Sequence, residues 1–294
     1  MKFTVVTPSF KQHDWLRLCV ASVADQAGVD FEHIVQDGGC SPEAQAALEA
    51  WGRAFPRLRL HVEPDRGMYD AVNRGLRRGT GEICSYLNCD EQYLPGALAG
   101  VAACFDADPE LDVLFGDTII VHREGDYLCD RKAVSPQKYH TMVSHNLSFL
   151  TCALFFRRRV LDQHGLYFSE QLRDVGDADW ALRAVERKLR MGVLRRFVSV
   201  FAETGQNMNY KPNAQQEAQR MFAAAPAWAR MLRPLLVAHF RVRRLLRGGY
   251  TQAPYDYALY TPASPTQRKS FHVAHPTGRW IRPGLSPAAG RAEP

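Results

Sequence analysis

Two neighbouring acids, Asp90 and Glu91, directly follow a strand-like apolar run at residues 82–87. Hard divalent cations such as Mg²⁺ bind one or two carboxylates together with the phosphate oxygens of a substrate. An ion held there would bridge a diphosphate and neutralise the charge that accumulates as it departs. Because Asp and Asn also favour turns, an acidic turn without a ligand is the alternative interpretation of Asn88–Glu91.

Asp37 and two glycines follow another strand-like run, at residues 31–35. Paired glycines let a ligand approach the backbone closely, and the Asp37 carboxylate can accept hydrogen bonds from a base or a ribose. The sequence has neither the dinucleotide G-x-G-x-x-G fingerprint nor the Walker phosphate-binding motif. Taken alone, this loop is explained more simply as a Gly-rich turn.

A third polar segment, residues 63–75, places Arg66 and Asp70 four residues apart on one helical face. The Arg66 guanidinium can engage a phosphate or a base carbonyl. In the alternative interpretation Asp65 caps the helix and the other polar groups are solvated.

Acidic residues also open an amphipathic helical stretch that begins at Asp177. A carboxylate at this point can act as a general base toward an acceptor hydroxyl. Asp177 and Asp179 are two residues apart and project differently, so at most one of them should reach a shared site. Acids are also favoured at helix N-termini by the helix dipole, so capping is the alternative.

Strand-like and helix-like segments alternate over short loops in the first half of the chain. This order predicts a mostly parallel sheet covered by helices on both faces. Polar loops follow the strands at Thr7–Ser9, Asp37–Gly39 and Asn88–Glu91. Because ligands of open α/β sheets bind beyond the carboxyl ends of the strands, we expect these loops to share one rim.

The composition is that of a globular protein of 294 residues, 46% hydrophobic and 23% charged. Seven cysteines without a C-x-x-C pair argue against a disulfide framework or a zinc knuckle and fit a reducing compartment. The N-terminal apolar run is too short for a signal peptide, and no stretch approaches the roughly 20 apolar residues of a membrane span. We therefore expect a soluble or peripheral cytoplasmic protein.

The net charge of +6 is concentrated in residues 228–247, which contain six arginines and no acid. Leucines interleave with these arginines, as in an amphipathic helix that lies on a membrane surface. A helix packed on its own domain with solvated arginines is an equal alternative. Nucleic-acid binding is disfavoured because no aromatic stacking platform or recognised motif accompanies the arginines.

Together these segments resemble the family 2, GT-A-fold glycosyltransferases, particularly bacterial members that build surface polysaccharides. The resemblance covers about residues 1–205 and rests on the order and spacing of four segments: Thr7–Phe10, Val35–Gly39, Glu63–Gly75 and Thr80–Glu91. It implies an α/β fold of the GT-A (Rossmann-like) type over residues 1–212. We expect a basic amphipathic helical extension at 213–250 and an extended or disordered Pro-rich tail at 251–294.

The resemblance also implies roles for residues of the donor site. Asp37 is similar to the nucleotide-base contact of the family, with Pro8 and Ser9 lining the same pocket. Arg66 and Asp70 are similar to further donor-site residues.

The acidic loop resembles the D-x-D-type motif that binds a metal and a diphosphate. Asn88 and Asp90 would then contact the donor, and Asp90 and Glu91 would hold Mn²⁺ or Mg²⁺. Glu91 stands where the family usually has a second aspartate, which makes Asp90 the safer ligand.

Asp177 is similar to the catalytic base of the family, the aspartate of a Glu-Asp pair. Here Gly176 replaces the Glu, so Asp179 remains an alternative base. The resemblance implies an inverting mechanism in which Asp177 deprotonates the acceptor hydroxyl. The Q-x-x-R-W motif and the membrane spans of processive members are absent from the sequence, which favours transfer of a single sugar.

The implied substrates are a nucleotide-diphosphate sugar, with UDP-sugar favoured over GDP-sugar, and a saccharide or lipid-linked acceptor. Cys89, Glu91 and Gly176 depart from the family pattern. A non-catalytic nucleotide-sugar-binding or scaffolding protein on the same fold is therefore the alternative function.

Overall fold

The structure, a computed structural model, describes residues 1–144, 147–204 and 212–280. Its strands are β1 (Lys2–Ser9), β2 (Asp30–Asp37), β3 (Leu58–Val62), β4 (Ile83–Tyr86), β5 (Glu91–Tyr93), β6 (Val113–His122), β7 (Tyr127–Arg131), β8 (Leu154–Arg157), β9 (Met191–Glu203), β10 (Tyr255–Thr261) and β11 (Ser264–Val273). Its helices are α1 (His13–Ala24), α2 (Pro42–Ala54), α3 (Met68–Arg78), α4 (Ala97–Ala107), α5 (Lys138–Ser144), α6 (Arg159–Asp162), α7 (Gly176–Glu186), α8 (Pro212–Ala223), α9 (Ala227–Met231) and α10 (Arg233–Leu246).

Nine strands form one sheet with the spatial order β3-β2-β1-β4-β8-β6-β9-β5, and β7 pairs with β6. The pairs β1–β2, β1–β4, β2–β3 and β6–β9 are parallel. The antiparallel pairs in this sheet all involve β5, β7 or β8. The predicted α/β fold, a mostly parallel central sheet flanked by helices, is confirmed.

The central strand β1 is buried on both faces, as expected for a parallel strand covered by helices. Val5 packs with Val101 of α4, whereas its neighbour Val6 packs on the opposite face with Trp180 of α7. Helix α3 lies so close to β1 that a Cβ at Gly75 would be 2.4 Å from Cγ1 of Val6. Gly75 therefore sets the distance between the sheet and α3, which carries Asp70 in its first turn.

The predicted helical extension contains α8, α9 and α10. Pro226 precedes α9, and Pro234 lies in the first turn of α10, where a proline costs no hydrogen bond. The division of the chain at residues 212 and 250 stays a prediction.

The prediction of an extended or disordered tail is wrong for Tyr255–Val273, which form the antiparallel hairpin β10–β11. Tyr257 and Leu259 alternate along β10 and pack with Val200 of β9. Pro262 lies in the turn between the two strands, so the prolines that indicated a tail do not interrupt β10. Residues 281–294 of the predicted tail lie outside the described residues.

Polar contacts join the hairpin to the sheet and to α1. The side-chain amide of Gln92 donates to the Tyr260 carbonyl at 2.8 Å and accepts from the Tyr260 amide at 2.9 Å. Arg268 donates to both carboxylate oxygens of Asp25, at 2.6 and 2.7 Å. The hairpin thereby holds β5, which begins at Glu91.

Candidate active site

The three predicted polar loops lie at one edge of the sheet. Ser9 and Asp37 are paired in the parallel register of β1 and β2. The Leu87 amide donates to the Val6 carbonyl at 2.9 Å, so the chain leaves β4 at the same edge before it reaches Asn88. The expectation that these loops share a rim is confirmed.

Helix α1 begins between two of these loops. The Cys89 thiol donates to Oε1 of Gln12 at 3.3 Å. The next residue, His13, places Nε2 at 3.3 Å from Oδ2 of Asp37. The acidic loop and the Asp37 loop therefore converge on the N-terminus of α1.

Asp90 is half-buried, and this burial raises the pKa of its carboxyl group to about 6. The carboxylate of Glu203, at the end of β9, raises this pKa further. Within the described ranges no Lys, Arg or His forms an ion pair with Asp90. Hard oxygen donors that face other carboxylates fit a divalent cation such as Mg²⁺ or Mn²⁺, so the surroundings of Asp90 suit a metal.

Glu91 is buried, and its Oε2 accepts the Asn88 amide at 2.8 Å. Burial raises the pKa of Glu91 to about 8, and the carboxylates of Asp90 and Asp177 raise it further. Glu91 thus closes the loop that presents Asp90, and it lies near enough to Asp90 and Asp177 for their charges to act on it. Its predicted role as a metal ligand stays a prediction.

Asp177 lies in the first turn of α7. Its amide donates to the Tyr69 hydroxyl at 3.2 Å, and its Oδ1 accepts the Ala178 amide at 2.7 Å. Burial raises the pKa of Asp177 to about 6, and the charge of Glu217 adds to this effect. A half-buried carboxylate with such a pKa takes up a proton readily near neutral pH, as a general base requires.

Asp179 has a different environment from Asp177. Its Oδ2 accepts from Nε of Arg183 at 2.7 Å, one turn further along α7. Arg183 also donates to the Tyr167 carbonyl, which fixes the pair in place. The Asp179 carboxylate is therefore already engaged in an ion pair, which leaves it less available to an acceptor hydroxyl.

The loop before Asp177 is held by Glu217 of α8. The two carboxylate oxygens of Glu217 accept the backbone amides of Arg173, Asp174 and Val175 at 2.9, 3.0 and 3.1 Å. Asn213, one turn earlier in α8, also donates to Glu217 at 2.9 Å. Glu217 therefore determines where α7 starts.

The pocket predicted to bind the nucleotide base contains a buried carboxylate. Asp37 is fully buried, and besides His13 it bonds the Gly39 amide at 3.0 Å through Oδ1. Pro8 and Ser9 are buried beside it in β1, and the Ser9 hydroxyl has no hydrogen-bond partner among the described residues. The His13 imidazole thus covers one oxygen of the carboxylate that the sequence predicts as the base contact.

His13, Asp37 and Cys40 are also the described residues that come closest to a transition-metal ligand set. One ligand atom from each lies within 4.8 Å of the other two. The same Asp37 carboxylate is the predicted base contact, so a metal and a nucleobase would compete for it.

Arg66 and Asp70 lie together at the start of α3. Asp70 accepts the Arg66 amide at 2.9 Å and its guanidinium at 3.3 Å, and it accepts Nη2 of Arg74 at 2.8 Å. Burial opposes ionisation of Asp70, but these bonds outweigh it and lower its pKa to about 2. Asp70 thus shapes the loop, while the Arg66 side chain is exposed and also pairs with Glu170.

Four residues at the site were missed by sequence reasoning: His13, Tyr69, Glu203 and Glu217. His13 and Tyr69 each open a helix next to a predicted loop, a position that could have drawn attention to them. Glu203 and Glu217 lie far along the chain from their partners, and nothing in the local sequence connects them to the site.

Comparison with known proteins identifies the family of this chain. The profile described as "Glycosyl transferase family 2" matches residues 4–165. A PGL/p-HBAD biosynthesis glycosyltransferase of Mycobacterium bovis is 32% identical over 120 residues, which cover 40% of this chain and 47% of the relative. The match thus spans about half the length of that curated relative.

Two solved structures have the same fold. S. aureus TarS 1–349 in complex with UDP-GlcNAc aligns with a TM-score of 0.57 at 19% identity and covers 84% of this chain and 73% of that one. The mannosyltransferase PcManGT from Pyrobaculum calidifontis, in complex with GDP-Man and Mn²⁺, aligns with a TM-score of 0.54 at 18% identity and covers 84% and 79%. The profile match extends over more than half of the chain, and the chain therefore belongs to glycosyl transferase family 2.

Proposed function

We propose that the protein is an inverting glycosyltransferase that moves one sugar from a nucleotide-diphosphate sugar to a hydroxyl group in glycan biosynthesis. The observation that carries this proposal is that Asp90 and Glu91 follow the carboxyl end of β4, close enough to Asp177 for its charge to act on Glu91. Family membership supports it, because named relatives are glycosyltransferases.

In this proposal Asp177 removes the proton from the acceptor hydroxyl as the oxygen attacks the anomeric carbon. The bond to the diphosphate breaks on the opposite face, which inverts the configuration. The raised pKa of Asp177, about 6, leaves the group ionised at pH 7 and still basic enough to accept a proton. Tyr69 and Glu217 keep the start of α7 in place, so the carboxylate keeps one orientation.

Asp90 would hold Mn²⁺ or Mg²⁺, which supplies charge neutralisation for the departing diphosphate. Glu91 closes the turn that points Asp90 toward the site. Arg66, exposed at the rim, offers a guanidinium to the donor. Asp37, Pro8 and Ser9 would form the base pocket once the His13 imidazole has moved.

We propose UDP-sugar over GDP-sugar as the donor and a saccharide or a lipid-linked saccharide as the acceptor. S. aureus TarS binds UDP-GlcNAc, whereas PcManGT binds GDP-Man, so the neighbours allow both bases. We also propose a cytoplasmic location with contact of residues 228–247 to a membrane surface. All seven cysteines are free thiols, as a reducing compartment permits.

A panel of UDP-sugars and GDP-sugars tests the proposal, with Mn²⁺ present and with thermal shift and nucleotide release as readouts. We expect one UDP-sugar to raise the unfolding temperature and to release nucleotide when an acceptor is added. Asp177→Asn should abolish release and keep the thermal shift, whereas Asp179→Asn, the matched control, should retain most activity. Donor binding without any turnover by the wild type would support the non-catalytic alternative.

A further inference from the structure

Helix α10 presents leucines to solvent and an arginine to the protein interior. Among the described residues, the exposed large apolar side chains fall, apart from Phe10, within residues 228–250. They are Trp228, Met231, Leu232, Leu235, Val242, Leu245, Leu246 and Tyr250. By contrast, only 6% of Arg244 is exposed.

The exposed residues of α10 form one stripe. Leu235, Val242 and Leu246 are seven and four residues apart and so lie on one side of the helix, with Leu245 next to them. The opposite side carries Phe240, which stacks on His140 of α5 with 4.0 Å between ring centroids. The helix is thus already packed against its own protein, and the leucine stripe faces away from it.

Unsatisfied donors lie on the inner side of the same helix. Nε and Nη2 of Arg244 and Nη1 of Arg243 are buried without a hydrogen-bond acceptor among the described residues. The Arg244 guanidinium lies over the Tyr250 ring at 4.6 Å from its centroid, a contact that supplies no acceptor oxygen. These donors face the protein, so the arginines of α10 that are open to an outside partner are the exposed ones.

Charge distinguishes between possible partners of this surface. Between Glu217 and Asp256 the chain contains no acidic residue, whereas residues 228–247 contain six arginines. Two copies that met through this surface would bring arginines against arginines. An anionic phospholipid surface offers negative headgroups to the arginines and an acyl boundary to the leucines.

We propose that residues 228–250, here called the α9–α10 surface, bind the headgroup layer of an anionic phospholipid membrane. The leucine stripe enters the acyl boundary, while the charge of the exposed Arg233, Arg241 and Arg247 attracts the anionic headgroup layer. Within the described ranges no helix is both long and apolar enough to cross a bilayer, and α10 has 14 residues. This inference rests on the membrane contact included in the proposed function, and it specifies the class of lipid that is bound.

Co-sedimentation of the full chain with vesicles tests this inference, using phosphatidylcholine with and without phosphatidylglycerol and no donor sugar. We expect pelleting with the anionic vesicles and little with the neutral ones. Leu245→Ser/Leu246→Ser should abolish pelleting, and Arg233→Gln/Arg241→Gln/Arg247→Gln should lower the partition coefficient roughly 100-fold. The control Arg17→Gln/Arg53→Gln removes two exposed arginines elsewhere and should pellet like the wild type.

The proposal is overturned if the wild type fails to pellet, if both vesicle types pellet it equally, or if the leucine variant pellets unchanged. Equilibrium sedimentation without lipid gives a further check: a dimer dissolved by Leu245→Ser/Leu246→Ser would reassign the surface to a second copy. The substituted side chains are exposed, so unchanged thermal unfolding is expected. Since these assays contain no donor, their failure is distinct from a failure of glycosyl transfer.

Discussion

The ring of Tyr69 occupies the space that a side chain at Gly176 would need. A Cβ at position 176 would lie 2.5 Å from Cε2 of Tyr69, and the Tyr69 hydroxyl accepts the amide of the next residue, Asp177. The absence of the Glu that usually precedes the family's aspartate therefore has a steric reason in this chain. The departure at position 176 is compatible with a working base at position 177.

Gly176→Ala should lower both stability and turnover. The added methyl group has to displace a buried ring, and overpacking of this kind costs about 1–3 kcal/mol. The start of α7 would shift, and Asp177 with it. Chemical denaturation and nucleotide release measure the two effects. The control Gly52→Ala, where a Cβ meets nothing within 4 Å, should unfold no earlier than the wild type; equal behaviour of the two variants would contradict the packing argument.

Glu217→Gln should move the acidic limb of the rate profile to lower pH. The negative charge of Glu217 raises the pKa of Asp177, so its removal lowers that pKa and keeps Asp177 ionised in more acidic solution. The amide retains an acceptor oxygen for the loop. A pH profile of kcat measures the shift, and Glu186→Gln, at the exposed end of α7, is the control. A lower kcat without a shift of the acidic limb would mean that Glu217 only holds the loop before α7 and does not influence the pKa of Asp177.

Asp90→Asn and Glu91→Gln should have different effects. Loss of the Asp90 charge removes a hard ligand and should raise the Mn²⁺ concentration for half-maximal activity by at least about tenfold. Glu91→Gln keeps an acceptor for the Asn88 amide and should change that concentration much less. Titration of nucleotide release with Mn²⁺ compares the two. An equal loss in both variants would show that Glu91 is also a ligand.

Gln92→Ala tests whether the hairpin is part of the folded unit. The substitution removes both hydrogen bonds to the Tyr260 backbone, and unsatisfied buried groups cost about 1–3 kcal/mol each. We expect a lower free energy of unfolding in urea. Gln163→Ala, at an exposed position, is the matched control and should be close to neutral. Unchanged stability in Gln92→Ala would mean that the hairpin is only loosely attached.

Local sequence signals were sufficient to predict the parallel strands of the sheet and the polar loops at their carboxyl ends. An apolar run indicates a buried strand, and the polar residue that follows it (Ser9, Asp37 or Asn88) indicates where the strand ends. Both signals lie within a few neighbouring residues. The choice between Asp177 and Asp179 could not be made from the sequence. It depends on Arg183 and Glu217, whose contacts with the two acids become visible only in the folded chain.

The hairpin β10–β11 was hidden for a related reason. Its stabilising partners, Asp25 and Gln92, lie more than 160 residues earlier in the chain. The prolines of this region suggested disorder. In the structure they lie at the turn and at the strand ends, where they do not break the hydrogen bonding between the strands, but these positions cannot be recognised without the pairing register. Long-range polar contacts leave no periodic pattern in the sequence.

The family profile ends at residue 165. Three features of the site lie later in the chain: Asp177, Glu217 and the hairpin that is hydrogen-bonded to Gln92. Under the proposed chemistry, the portion inside the profile carries the donor and metal residues, and the portion beyond it carries the base and the residues that position it. A chimera that joins residues beyond 165 of this chain to the profile portion of a relative would therefore take its base from one parent and its donor residues from the other.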